Sequence, residues 1–498
     1  MTEFELKFEV SADNLKGVAL AMLQGKVTRQ RLQASYFDTA NGVLAAHGIV
    51  VRLRKEGRRW LQTAKAPAAD VLQRLEHNAA VPAPRAGAHP VLDLSRHHGT
   101  PVGHAIDRAL GRKAHDAYPE LKLLYGTDVK RITRLVASGA SMVELALDQG
   151  RVFSAAGAQL ICELEVELKQ GSPRDAVTLA RHWCAEHGLW LSTIAKSTKG
   201  QRLGQLSNDA ALPVAASAVA AEFSRQATGP QMVSAVVAAC LRQMLPNMSE
   251  LAGSSQQPDH VHQLRVGIRR LRTAMRELGG LTDDIDPAWE TALVETFRAL
   301  GVHRDHSQLV AVLQPQLLAA GGPGLPLGAV SSSPAAPGNA VCMPAFQDAV
   351  LGLIGFAHHE WPKSGNQHDA LKKAVGIRLQ KLHKHALRDG KKFLALSDVQ
   401  QHGVRKRLKR LRYLMEFAAP LFGSNKVHQM AAALKPVQDA LGLYNDELMA
   451  LQTWRAWVTD DAHAWFGVGW LTARQQTNAK RCLKEIKIFA KIRPFWRR

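Results

Sequence analysis

The chain is short of negative charge. Its 498 residues hold 43 Asp+Glu against 64 Lys+Arg, a formal net charge of +21 and a pI near 10.0. Such a deficit points to a polyanionic partner: nucleic acid, an anionic membrane surface or phosphate-rich small molecules. Aromatic residues are scarce as well, at 6%. No stretch interleaves Phe, Tyr and Arg, which argues against a base-stacking surface; a helix inserted into a nucleic-acid groove stays open only for residues 402–412. The longest uncharged apolar runs, LPVAASAVAA and VVAACL, fall short of the ~18 residues a spanning helix needs, so no transmembrane segment is expected. The five cysteines (Cys162, Cys184, Cys240, Cys342, Cys482) form no CxxC and are odd in number. They read as buried thiols in a reducing compartment, not as disulfides or a zinc site. The scattered histidines, among them His97-His98, His303, His306 and His358-His359, lack HExxH or any ligand cluster and read as surface or core residues. The chain opens on a charged segment and not on a basic-then-apolar leader, and the expected location is cytoplasmic.

What is present divides at about residue 204. Before it, a period of two dominates, with strand candidates at 3–10, 31–37, 49–55, 59–65, 129–136, 142–148 and 161–169. Two helices interrupt them, one after Ser11 as N-cap and one after Ser172-Pro173, a cap followed by proline in the first turn. Residues 205–228 are Ala-rich and weakly patterned, a linker candidate. Beyond them the period is helical, apart from a Gly/Pro/Ser loop at 321–340. Basic charge is shared: 28 Lys+Arg against 20 Asp+Glu in residues 1–204, and 36 against 23 in the rest.

In EFELKFEV, Phe4, Leu6, Phe8 and Val10 alternate with Glu3, Glu5, Lys7 and Glu9. Side chains alternate faces along a strand, so one face is apolar and the other fully charged. The pattern recurs. Arg52 and Arg54 share a face in IVVRLRK, Glu144 and Asp148 in MVELALDQG, and Glu163, Glu165, Glu167 and Lys169 in CELEVELK. Either these faces meet solvent, or the sheet closes with them inward and the two helices cover the apolar faces. An inward set would suit a metal-bound polyphosphate, carboxylates holding Mg²⁺ or Mn²⁺ and Arg and Lys holding phosphate oxygens.

Glu3-x-Glu5-x-Lys7 resembles the ExExK signature of the CYTH family, the triphosphate tunnel metalloenzymes. SYFDT (35–39), VVRLRKEG (50–57), LKLLYGTDVKR (121–131), ELALDQGRV (144–152) and ICELEVELKQG (161–171) follow in order and extend the resemblance over nearly all of 1–204. The resemblance implies an eight-stranded antiparallel tunnel hydrolysing tripolyphosphate with Mg²⁺ or Mn²⁺. Position by position, it implies catalytic Glu3, Glu5 and Lys7, and metal-facing Glu3, Glu5, Glu163, Glu165 and Glu167. Arg52, Arg54, Lys65, Arg74, Arg131 and Lys196 would grip the triphosphate, and Glu76, Glu144 and Asp148 would complete the tunnel wall. Where the family's ending resembles SKAxRGY, this chain reads AKSTKGQ, so Lys199 stands for an arginine and Gln201 for a tyrosine.

The helical half repeats itself. HQLRVGIRRLR (262–272) is echoed by HGVRKRLKRLR (402–412), and LGVHRD (300–305) by LGLYND (441–446). Two echoes in one order at one spacing mean a duplication. His262, Arg265, Arg269, Arg272 and Arg276 step by three and four along one stripe, beside an apolar stripe of Val261, Leu264, Ile268, Leu271 and Met275. A solvated basic face and a polyanion groove both fit one such helix; the duplication favours the groove. These helices and the LGxxxD turns resemble the CHAD domain over 229–498, with repeats near 229–320 and 345–498. The resemblance implies a polyphosphate binder, carried here by His262, Arg265, Arg269, Arg272, Arg378, Lys381, Lys384, His402, Arg405, Lys409 and Arg412.

The expected fold class is therefore α+β, an N-terminal eight-stranded antiparallel β-tunnel with flanking helices and a C-terminal all-α domain of two repeated helical bundles. The expected activity is that of a metal-dependent inorganic triphosphatase. Its partners would be inorganic tripolyphosphate and long-chain polyphosphate, with possible association with polyphosphate granules. A non-catalytic polyphosphate-binding protein, and a tunnel enzyme acting on thiamine triphosphate or ATP, are the alternatives.

Overall fold

The computed structural model describes residues 2–68, 72–82, 90–113, 115–205, 213–308, 313–323, 336–362 and 368–497, with the side chains of 2, 3, 205 and 302–308 excepted. Two compact units emerge. The first comprises Met1–Ala216, Met244–Ser255 and Val341–His359; the second comprises Ser217–Gln243, Gln256–Ala340 and Glu360–Arg498.

The first unit begins β1 (Thr2–Glu9), α1 (Ala12–Met22), β2 (Val27–Asp38), α2 (Val43–Ala46), β3 (Val50–Glu56), β4 (Arg59–Pro67) and β5 (Gln73–Val81). It continues with α3 (Pro101–Ala109), β6 (Lys122–Ser138), β7 (Ser141–Ser154), β8 (Gly157–Gln170), α4 (Pro173–His187), the two-residue β9 (Trp190–Leu191) and α5 (Lys196–Gln205). Strand order is β5-β4-β3-β2-β6-β7-β8-β1, with β9 on β1, and a β5–β1 pairing closes the ring. Glu3 stands opposite Arg74 at that seam, and the pairings are antiparallel throughout. The result is the expected closed eight-stranded tunnel. Closure leaves no free strand edge in the ring.

Alternation decides which face is inside. Leu6, Phe8, Leu164 and Val166 are fully buried on the outer face, where α4 packs on β1 and β8, while the charged residues between them point into the bore. Both predicted helix starts are present. Ser11 accepts a hydrogen bond from the Asn14 amide, and Ser172 from the Arg174 amide with Pro173 in the first turn. The seven strands legible in the sequence lack β5, whose QRLEHNAAV has no clean apolar alternation. Helix α3, capped by Thr100, was also not expected; its Val102 and Ile106 join Ile49, Val51, Ala64 and Ala66 in a core outside β3 and β4.

The remaining helices are α6 (Gly229–Ala252), α7 (Pro258–Leu278), α8 (Pro287–Gln308), α9 (Gln314–Ala319), α10 (Pro337–Cys342) and α11 (Pro344–Ala357). After them come α12 (His368–Gly390), α13 (Asp398–Phe417), α14 (Ala419–Phe422), α15 (Ser424–Trp457) and α16 (Ala464–Phe489). Helix α11 belongs to the first unit. It is buried on nearly all sides, with Arg181 of α4 bound to Asp348 at 2.7 Å and Gln347 accepting from the Leu191 amide at 2.8 Å. In the second unit the apolar stripe behaves as its spacing predicts: Val261, Leu264, Ile268, Leu271 and Met275 are all buried. Most of the 321–340 loop, residues 324–335, lies outside the described residues. No described helix is long and apolar enough to cross a membrane.

Candidate functional site

The bore of the barrel is a cavity of about 420 Å³. Strand register aligns its charges in rows. Glu5 faces Glu167, Lys7 faces Glu165 and Glu9 faces Glu163 across β1 and β8, while Asp148 of β7 stands opposite both Arg131 and Glu163. One side of the bore is therefore acidic. Oxygens of Asp148, Glu163 and Glu165 lie within 4.8 Å of one another. An all-carboxylate set of this span suits a hard divalent cation such as Mg²⁺ or Mn²⁺.

The ammonium of Lys196, at the start of α5, stands among these three carboxylates, 2.7 Å from Asp148, 2.5 Å from Glu163 and 2.6 Å from Glu165. Arg131 adds two hydrogen bonds of 2.6 Å to Asp148 and one of 2.5 Å to Glu165. Lys7 donates to Glu163 at 2.9 Å and to the Ile194 carbonyl. Burial alone would raise these acids. Lys196 and Lys7 instead bring Glu163 down to about 2, and Arg131 and Lys196 hold Glu165 well below the usual carboxylate range. Glu5 goes the other way: burial, with the Glu165 charge beside it, lifts its carboxyl to about 7.

The opposite side is cationic. Arg52, Arg54, Lys65 and Arg74 line the bore with Glu76 and Asn78. Arg52 donates to the Tyr36 hydroxyl at 3.3 Å, Arg54 pairs with Glu56 and Lys65 with Glu76. Burial, together with the neighbouring Arg52, lowers Arg54 to about 10. Burial would raise Glu76, yet Lys65 and Arg52 bring it to about 2. The Nε atoms of Arg52 and Arg54 are buried without a hydrogen-bond partner among the described residues, so donors remain for an anion in the bore.

Of the tunnel residues named from the sequence, Glu5, Lys7, Arg52, Arg54, Lys65, Arg74, Glu76, Arg131, Glu144, Asp148, Glu165, Glu167 and Lys196 line one cavity. Glu163 lies fully buried behind it. Glu3 sits in β1, and its side chain lies outside the described residues. Glu167 and Glu144 share Lys169, at 2.7 and 3.2 Å, and are absent from the three-carboxylate cluster; Asp148, expected only as wall, is in it. Sequence reasoning also passed over Tyr36, which stacks on Tyr125 at 4.7 Å. The altered ending keeps an anchor: Lys199 pairs with Glu9 at 2.8 Å.

The second unit holds a cavity of about 660 Å³ between α7, α8, α13 and α15. Arg265, Arg269, Arg272 and Arg276 come from one repeat helix, His402, Arg405, Lys406, Lys409 and Arg410 from the other. Arg265 is 7% exposed, donates to the Phe297 carbonyl at 2.7 Å and stacks 4.1 Å over that ring, which fixes its guanidinium. His402 meets Asn445 of the second echo at 2.7 Å. Burial lowers its pKa, with Arg405 and Lys406 adding to the shift. His262, Arg378, Lys381, Lys384 and Arg412 do not line this cavity. Lys381 and Lys384 are exposed on α12, and Arg412 pairs with Glu416 at 2.7 Å. Arg276, Lys406 and Arg410 were not among the residues expected to bind, although Arg276 continues the three-and-four spacing of the stripe.

A closed antiparallel barrel whose bore gathers carboxylates and cations, with an acidic cluster on β7 and β8 and an Arg/Lys set on β3, β4 and β5, defines a charged tunnel fold. Residues 1–200 match the CYTH domain and residues 235–455 the CHAD domain; the chain carries a CYTH domain followed by a CHAD domain. An inorganic triphosphatase of Haemophilus influenzae is 32% identical over 84 residues, 17% of this chain and 24% of that protein, so the match spans about a quarter of that relative's length. Among solved structures, the CHAD domain of Ricinus communis is similar at 22% identity and TM-score 0.46, covering 57% of this chain and 99% of that one. A Hippeastrum protein described as a candidate adenylyl cyclase with a dominant triphosphatase activity is similar at 16% identity and TM-score 0.28, covering 38% and 89%.

Proposed function

We propose that the tunnel hydrolyses inorganic tripolyphosphate to pyrophosphate and phosphate with Mg²⁺ or Mn²⁺, and that the helical domain holds longer polyphosphate. The observation that carries this reading is the split bore, with Arg52, Arg54, Lys65 and Arg74 facing the Asp148–Glu163–Glu165 cluster across about 420 Å³. A cationic wall alone would serve a phosphate binder; the convergent carboxylates suit a metal. Held by these three residues, with Glu5 adjacent, a divalent ion would draw charge from phosphate oxygens and acidify water. The chain's own part is to bind and orient. Arg52 and Arg54 offer donors to the phosphate chain, where charge develops in phosphoryl transfer. Arg131 locks Asp148 and Glu165 in place. Burial and the neighbouring Glu165 charge raise the Glu5 carboxyl to about 7.

Tyr36 is the one aromatic side chain on the bore among the described residues. It is engaged by Tyr125 and Arg52, so no ring is free to stack on a base or a thiazolium. That favours an inorganic chain over ATP or thiamine triphosphate. In the helical cavity, cations from both repeats converge on one space, which supports its role as the polyphosphate holder.

The test is phosphate release from tripolyphosphate, pyrophosphate, ATP and long polyphosphate, side by side, with each metal. Tripolyphosphate should be the fastest substrate and yield one phosphate per molecule. Faster hydrolysis of ATP would overturn the inorganic reading, and no metal-dependent release from any substrate would leave a binding protein.

A further inference from the structure

Lys196 occupies a place that invites a second occupant. Its ammonium lies 2.5–2.7 Å from one oxygen each of Asp148, Glu163 and Glu165, and Asp148 and Glu163 have no solvent exposure. One oxygen from each of these three carboxylates also lies within 4.8 Å of the other two, close enough to ligate a metal. Mg²⁺ binds oxygen at about 2.0–2.1 Å, so replacing the ammonium requires the carboxylates to close by only a few tenths of an ångström. Two cations cannot share that point.

We propose that Lys196 and the divalent ion are alternative occupants of the Asp148–Glu163–Glu165 seat, and that metal entry expels the ammonium into the bore, where it meets the phosphate chain. Arg131 and Lys7 already bind the outer oxygens of these carboxylates, and the exchange keeps one further cation at the buried point where all three converge. The movement belongs to the side chain and not to α5. The Gly200 backbone lies so close to Tyr125 that a Cβ there would stand 2.1 Å from the ring. Lys199 holds Glu9 at 2.8 Å and Arg202 holds Glu250 at 2.5 Å. Four methylenes let an ammonium swing where a rigid guanidinium could not, and Lys196 already lines the cavity with Arg52, Lys65 and Arg74. Metal loading and substrate capture become one exchange, with a positive charge released toward the phosphates as the ion arrives.

The inference rests on the proposed function only in taking the carboxylate cluster for the metal seat, and its test contains no triphosphate. Mn²⁺ is titrated calorimetrically into metal-stripped full-length protein. Lys196→Met keeps the stem and removes the competing charge, so Mn²⁺ should bind at least about tenfold more tightly than to wild type. Lys65→Met removes an equal charge from the same bore without touching the seat and should tighten binding by no more than about threefold. Unchanged or weaker affinity in Lys196→Met, or equal tightening in both, overturns the proposal. Wild-type protein gives a readout independent of any variant's folding. Lysine acetylation mapped by mass spectrometry should find Lys196 protected in EDTA and modified at saturating Mg²⁺; equal modification in both also overturns it. Failure of the wild type to hydrolyse tripolyphosphate would sink the activity and leave these outcomes unaffected.

Discussion

Arg131 of β6 and Asp148 of β7 are direct cross-strand partners, and their side chains lock through two parallel hydrogen bonds of 2.6 Å. Asp148 has no solvent exposure, so the pair shapes the acidic wall before any ligand arrives. Breaking it removes two charge-assisted hydrogen bonds from a buried carboxylate, which then keeps Lys196 at 2.7 Å. Arg131→Met should destabilise the protein by about 1.5–3 kcal/mol, read as a shift in the urea transition. Pairing it with Asp148→Leu should restore much of that stability and none of the activity. A loss below about 1 kcal/mol would class the pair with exposed salt bridges.

Charge opposite the seat should matter to turnover and little to folding. Arg52→Ala or Arg54→Ala should raise the barrier by about 2–4 kcal/mol if each contacts the phosphates directly, measured as kcat/KM on tripolyphosphate. Arg58, in the turn between β3 and β4, and Arg59, the first residue of β4, are exposed, and their alanine variants should stay near wild type. Equal losses from all four would mean a diffuse field in place of contact.

Glu5 gives stability a pH dependence with a definite sign. Its carboxyl is raised from 4.5 to about 7 in the folded protein by burial and by Glu165, so folding favours the protonated form. The associated stability is full below the unfolded pKa and is lost as pH rises through about 7. Without metal, Glu5→Gln should therefore be more stable than wild type at pH 8.5, by about 3 kcal/mol for the rise from 4.5 to about 7 at 1.36 kcal/mol per pKa unit, and much less so at pH 5. Thermal unfolding in EDTA at both pH values reads this directly. The same variant should lose activity, since a tunnel carboxylate is gone. Equal stabilities at pH 8.5 would place Glu5 in water.

Much of the barrel could be read because its strands carry two independent signals at once. Leu164 and Val166 mark the outer face by their apolar side chains, and Glu163, Glu165 and Glu167 mark the bore. Where one signal fails, so does legibility. Strand β5 offers Arg74 and Glu76 to the bore and little to a core, and only the family resemblance pointed to those two residues. The seat itself was partly hidden. Asp148 differs from Glu144 only by register, one facing Glu163 and the other Glu167 across β8, and register depends on closure, which one strand's pattern does not carry. Helix α11 was hidden for a different reason. An element buried on all sides shows no amphipathic period, so nothing in PAFQDAVLGLIGFA says which neighbour it will meet.

The helical cavity makes a prediction that separates two basic surfaces of one domain. Arg265 and Arg405 line the cavity, whereas Lys381 and Lys384 carry the same charge exposed on α12. A polyphosphate held in the cavity contacts the first pair and not the second. In full-length protein made inactive by Glu165→Gln, replacing Arg265 and Arg405 together by Gln should weaken long-chain polyphosphate binding by about 1.5–3 kcal/mol per lost charge-assisted contact. Lys381→Gln with Lys384→Gln should change it only slightly, through long-range charge that salt screens. Wild-type affinity should also fall steeply with salt, because each neutralised phosphate releases counterions. A duplex should be a poor competitor for such a site, since its major groove alone measures about 12 Å across and no duplex fits a cavity of about 660 Å³, whereas a single phosphate chain is slender enough to enter it. Competition at matched phosphate concentration reads the difference. If duplex DNA displaces polyphosphate one for one, or if the α12 lysines prove the costlier loss, the polyanion lies on the outer helix face and the cavity has another use.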